Sequence, residues 1–246
     1  MPVSETFAIA ILFFVGAALY ASVGHGGASS YLAVMGLFSF APNVMKPTAL
    51  ALNILVAAVA TFKFYRAGLF SWRLFWPFAV ASIPAAFMGG ATMLPARAYK
   101  IVVGAVLLYA AVWMFRSALR PIKNETHLPP LWAALVAGAA IGFLSGLTGV
   151  GGGIFLSPLI LYVGWADTKA TSGVAAPFIL VNSIAGLLGH FSSVVQLPPS
   201  VPIWGAAAVI GGWIGASYGS KRAPAPVLRQ LLSLVLIVAG VKLIFH

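Results

Sequence analysis

Two short segments of this 246-residue sequence carry most of its chemistry. From Ser22 to Leu32 it reads SVGHGGASSYL, which sets His25 among Gly24, Gly26 and Gly27 and adds the hydroxyls of Ser29 and Ser30. From Thr148 to Leu156 it reads TGVGGGIFL, where Gly149, Gly151 and Gly152 match the earlier glycines and Val150 replaces the histidine. Glycines in this pattern break a helix and let backbone approach closely. A helix that starts just after them offers unpaired N–H groups to an anion. Hydroxyls can donate to the same oxyanion, and an imidazole can donate or change its charge with pH.

A Lys-x-Thr step follows each glycine segment, at Lys46 and Thr48 and again at Lys169 and Thr171, with Ser172 beside the second. The threonines, Ser172 and Thr148 join the group of candidate donors. The two lysines either attract an anion or sit solvated in loops. Asn53 and Asn182 lie well inside apolar runs, where an amide must find partners, so each lines the site or bridges helices. His190 ends its run and reads as an interface residue rather than a ligand. The expected substrate-binding set is therefore Gly24, His25, Gly26, Gly27, Ser29, Ser30, Thr48, Asn53, Thr148, Gly149, Gly151, Gly152, Thr171, Ser172 and Asn182.

Absences narrow the chemistry further. Without cysteine there are no disulfides, thiolate metal sites or thiol nucleophiles. The only acids, Glu5, Glu125 and Asp167, lie outside span interiors, which leaves no buried carboxylate relay and no carboxylate sodium site. No GxxxxGK[ST] loop is present to hold ATP. An intramembrane hydrolase built on Ser145 and His190 lacks a nucleophile setting and an acid to orient the histidine. No catalytic residue, metal or cofactor is expected.

The elements that must position these residues are membrane helices. Hydrophobic residues make up 61% of the chain and charged residues 7%, where soluble domains carry about 25% charged. Apolar runs of about 20 residues, enough to cross roughly 30 Å of hydrocarbon, recur throughout. The alternation of a transmembrane β-barrel is absent. The predicted class is all-α, a polytopic membrane protein with five elements per half: 6–23, 25–41, 46–64, 73–93 and 97–117, then 131–148, 152–165, 169–190, 201–219 and 225–245. Residues 1–117 form a first membrane repeat, 118–130 a cytoplasmic linker and 131–246 a second repeat. The first element lacks a basic leader and reads as a retained span. The stripes Gly138, Gly142, Gly146 and Gly211, Gly215, Gly219 are faces for close helix packing.

The formal charge of +11 reflects basic loops that set orientation rather than a nucleic-acid surface. The short glycine-broken elements either cross the membrane or re-enter it. If both cross, the halves are inverted, and Lys63, Arg66, Arg73, Arg116, Arg120, Lys123, Lys169, Lys221, Arg222 and Arg229 lie inside against Lys46, Arg97, Lys100 and Lys242 outside. If both re-enter, the charges divide evenly. The positive-inside rule favours inversion, with both termini outside.

With these residues assembled, the chain resembles the TauE/SafE sulfite exporter family, also grouped as toluene sulfonate uptake permeases. The specific part is GLTGVGGGIFLSPLIL at Gly146 to Leu161, and GHGGASSYLAVMG at Gly24 to Gly36 is similar to a subset of the family. The resemblance implies a multi-pass transporter of the bacterial inner membrane for small sulfur-containing anions such as sulfite or organosulfonates. Its expected partners are the anion and the lipid bilayer, with a homodimer possible. An anion channel is the alternative.

Overall fold

The structure, a computed structural model, describes residues 3–119, 127–190, 197–221 and 226–245. Most of the expected linker, with Arg120 and Lys123, lies outside the described residues, as do Arg222 and the side chain of Arg229.

Ten helices follow one another, and no strand occurs among the described residues. The first half contains α1 (Val3–Ala21), α2 (Ala28–Leu37), α3 (Pro42–Arg66), α4 (Trp72–Ala91) and α5 (Ala96–Leu119). The second contains α6 (Leu131–Thr148), α7 (Gly153–Val163), α8 (Thr168–Gly189), α9 (Val201–Gly219) and α10 (Pro226–Phe245). Among the described residues, α1, α3, α4, α6, α8, α9 and the Ala96–Trp113 part of α5 are long and apolar enough to cross a membrane. A helix satisfies its own backbone, which is why it suits a chain with no water to bond. α2 and α7, of 10 and 11 residues, are short because each begins only after a glycine segment.

Packing joins the halves crosswise. Gly138, Gly142 and Gly146 of α6 lie against the backbone of Phe78, Ser82 and Ala86 of α4, so these helices run parallel in close contact. Gly211, Gly215 and Gly219 of α9 meet Phe14, Ala18 and Ser22 along α1 in the same way. Small residues at every fourth position bring two backbones together where lipid offers no hydrophobic drive. By contrast α3 and α8 run antiparallel, with Leu50 beside Gly186 and Asn53 bonded to Ser183. α5 and α10 are also antiparallel, with Gly104 near Ile244 and Leu108 near Gly240.

Side-chain bonds fix which helix ends lie together. Lys46 at the start of α3 bonds the end of α4, Tyr99 at the start of α5 bonds the end of α6, and Lys242 at the end of α10 bonds the end of α2. At the opposite end, Leu69 lies against Gly173 near the start of α8, and Lys63 sits over the Trp213 ring. The buried apolar residues form two clusters. One is built around Phe13, Tyr31 and Trp204, the other around Phe78, Phe178 and Trp165.

Candidate functional site

The glycine segments are built alike. After α1, the N–H groups of Gly24 and His25 bond back to the carbonyls of Ala21 and Tyr20, and the chain leaves the helix through Gly24 at φ 77°. Gly27, at φ 98°, then starts α2. After α6 the same reversal is made by Gly149, Gly151 and Gly152, all with φ between 82° and 85°. Left-handed backbone of this kind costs an L side chain about 1–2 kcal/mol, so glycine is required at these turns.

The two breaks meet around Asn53. Its Oδ1 faces Gly26 and accepts from the N–H of Ala28, the first residue of α2, at 3.3 Å. Its Nδ2 faces Gly151 and donates to Ser183 Oγ at 2.9 Å. One fully buried amide therefore ties the first break, the second break, α3 and α8 together. A Cβ on Gly26 or Gly151 would occupy the space of that amide.

His25 makes the second bridge. Its Nε2 lies 3.0 Å from the carbonyl of Gly153 and 3.2 Å from Ser157 Oγ, both in α7, while Nδ1 lies 3.2 Å from the carbonyl of Val23. Carbonyls only accept, so the neutral ring donates to one of them, to Gly153 from Nε2 or to Val23 from Nδ1, according to its tautomer. The imidazolium can donate to both carbonyls at once. The surroundings thus accommodate either charge state, with Ser157 turning to suit.

The remaining expected residues fall into two groups. Ser30 donates to the carbonyl of Gly27, Thr148 to Leu144, Ser172 to Thr168 and Asn182 to Phe178, all bonds to their own local backbone. Thr48 and Thr171, at matching positions of the two halves, are buried with hydroxyls that have no partner, and the Oδ1 of Asn182 is likewise unpaired. Ser29 faces the Tyr20 hydroxyl. Each break opens against the other half: Gly24 lies on the backbone of Ser172, and Gly149 on that of Lys46.

A family model, the sulfite exporter TauE/SafE, matches residues 8–243. The chain belongs to the TauE/SafE family. A probable membrane transporter protein of Sinorhizobium fredii, y4hK, is 46% identical over 245 residues, covering 98% of this chain and 99% of that protein. A probable membrane transporter protein of Bacillus subtilis, YjnA, is 25% identical over 255 residues, covering 94% of this chain and 96% of that one. No solved structure matches. This TauE/SafE chain is thus a multi-pass membrane transporter protein, and its paired breaks form the core of the candidate site.

The structure adds Ser157 and Ser183 to the expected residues and revises the reading of three others. Ser145 and His190, weighed as a hydrolytic pair, make no bond to each other; the serine–histidine contact is Ser157 with His25. Lys46, weighed as loop-solvated, is buried.

Proposed function

We propose that this protein is a secondary transporter of small sulfur-containing anions, of the sulfite or organosulfonate type, in a bacterial inner membrane. The observation that carries this reading is the convergence of two glycine-started helices, α2 and α7, on one buried amide beside His25. Each helix start presents first-turn N–H groups and the positive end of a dipole, and the imidazolium supplies a full charge. Irregular backbone at membrane depth is tolerable only where protein or a wet cavity covers it. Its presence in both halves supports a substrate site at the breaks.

Inversion of the halves is part of the proposal. Matching helices run antiparallel, α3 against α8 and α5 against α10, which supports a two-fold axis lying across the helices. Alternating access then follows from movement across the α3–α8 contact. The moving bodies differ from the sequence halves, because the close glycine seats tie α9 to α1 and α4 to α6. One body is α1, α2, α3 and α9; the other is α4, α6, α7 and α8. His25 Nδ1 rests on the carbonyl of Val23 rather than on a carboxylate, which favours a carrier over a triad hydrolase.

Counterflow in proteoliposomes tests the carrier reading. Vesicles loaded with unlabelled sulfite are expected to accumulate external [35S]sulfite transiently, with saturation. Flux that rises linearly with concentration and follows voltage alone is the signature of a channel and would discard the carrier.

A further inference from the structure

The end of the bundle where α4, α6 and α8 finish holds a cation that the central site does not use. Lys46, one turn into α3, is 4% exposed, and among the described residues it is the one lysine or arginine that is buried. Its Nζ donates to the carbonyl of Gly89 at 3.3 Å, of Gly90 at 2.8 Å and of Thr92 at 3.3 Å, which occupies all three ammonium hydrogens. These carbonyls lie in the last turn of α4 and its cap, at the negative end of the helix dipole, and that of Gly89 also accepts from the Thr92 N–H. Gly149, where the second break begins, packs on the Lys46 backbone, so a shift of this lysine is felt at the break.

His190, at the end of α8, completes the arrangement. It is 6% exposed, neither ring nitrogen has a hydrogen-bond partner, and the adjacent Gly189 packs on Phe87 and Ala91 of α4, which sets the histidine at the helix end that receives Lys46. Gly186, one turn before His190, packs on the backbone of Gly90, which also receives Lys46. Other ionisable groups do not compete here. α6 contains none, and the one in α4, Arg73, is in its first turn at the opposite end. From α5, Tyr99 commits its hydroxyl to the carbonyl of Thr148 at 2.9 Å, Arg97 is exposed and Lys100 is half-buried. On α3 the remaining ionisable side chains, Lys63, Tyr65 and Arg66, are at its far end; on α8 the other one, Lys169, is at the helix start.

Carbonyls at the C-terminal ends of membrane helices are groups with which transporters coordinate a coupling Na+. We propose that Lys46 is a tethered coupling cation. Its ammonium fills a carbonyl cage that suits Na+, and the proton it carries, passed to His190, is the coupling ion of transport. In the step, the ammonium gives up one of its two longer carbonyl bonds and turns that hydrogen to His190; the Nζ–H bond breaks and the proton joins the lone pair of a ring nitrogen of the neutral histidine. The imidazolium then releases it to water at that end of the bundle. The neutral amine left behind no longer sets a charge against three carbonyls, which frees the end of α4 and, through Gly149, the second break. A coupling ion acts in this way when the two states of the carrier bind it unequally. The inference rests on the carrier reading above and adds its coupling ion.

Two arms test it. In detergent, the wild-type protein is expected to melt at the same temperature in sodium and choline chloride, while Lys46→Ala melts lower and is raised by sodium but not by choline. A Lys46→Ala protein indifferent to the cation overturns the cage. In proteoliposomes, Lys46→Arg keeps a positive charge that cannot be given up, since a guanidinium stays protonated. It is expected to retain [35S]sulfite counterflow at equal pH and to lose accumulation driven by a pH gradient. His190→Gln should slow that accumulation and leave counterflow intact. Accumulation under a pH gradient that survives in Lys46→Arg overturns proton coupling through this lysine. If Lys46→Ala does not fold in either salt, the Lys46→Arg arm decides. If the wild-type protein exchanges no sulfite, the substrate reading fails and the sodium arm still decides on Lys46.

Discussion

At the residue scale, the amide of Asn53 is the most exposed to test, because two buried groups depend on it. Truncation to alanine strands the Ala28 N–H and the Ser183 hydroxyl, at about 1–3 kcal/mol for each buried group left unpaired. Asn53→Ala should therefore melt at a lower temperature than wild type and show no further rise with sulfite, measured by thermal shift in detergent. Asn53→Asp is the sharper variant. Its carboxylate still accepts from Ala28 but places a negative charge between the two helix starts proposed to hold the anion, so counterflow should disappear. Retained counterflow in Asn53→Asp would remove the amide from the site. His25 and Asn53 were legible in the sequence because a polar side chain inside an apolar run must find partners. Ser157 and Ser183 were not, since a serine in a membrane helix usually bonds its own backbone one turn back. Lys46 misled for a different reason. Its place at the start of an element implied a solvated loop, and only the folded chain brings the end of α4 onto it.

At the element scale, the helix-breaking glycines and the packing glycines do separate work and should fail differently. Gly215 is seated on the carbonyl of Ala18, and Gly146 on that of Ala86, so any side chain there pushes two backbones apart. Gly215→Val is expected to abolish the monodisperse peak in detergent size-exclusion chromatography. Val136→Leu, at an α6 residue that is 64% exposed, should leave the peak unchanged. A folded Gly215→Val protein would mean that α1 and α9 separate easily, and with them the body proposed to move as one. Element boundaries were legible here to within a few residues, because span length, Gly-rich breaks and Pro or Asp at helix starts all point the same way. What periodicity could not supply was partnership. Nothing in the spacing said that α4 would leave its own half to pack on α6, because that choice depends on matching small-residue faces across the whole chain.

At the scale of the whole molecule, the helix ends sort the basic residues. The end containing the starts of α3 and α5 and the end of α10 carries Lys46, Arg97, Lys100 and Lys242. The other end carries Lys63, Arg66, Arg73, Arg116, Lys169 and Lys221. Two of the first group are consumed in capping carbonyls, Lys46 on α4 and Lys242 on Leu37 of α2, so their presence there reflects packing rather than orientation. The asymmetry left to orient the protein is therefore steeper than a count of charges suggests, and the positive-inside rule predicts the second end in the cytoplasm. Because the chain contains no cysteine, single cysteines report without background. Ala67, in the α3–α4 turn, and Ala96, at the start of α5, are both exposed and belong to opposite ends. An impermeant maleimide applied to intact cells should label Ala96→Cys at once and Ala67→Cys only after permeabilisation. The reverse pattern would turn the protein over in the membrane. It would also place the Lys46 and His190 pair on the cytoplasmic side, where the same proton step would run against the opposite compartment.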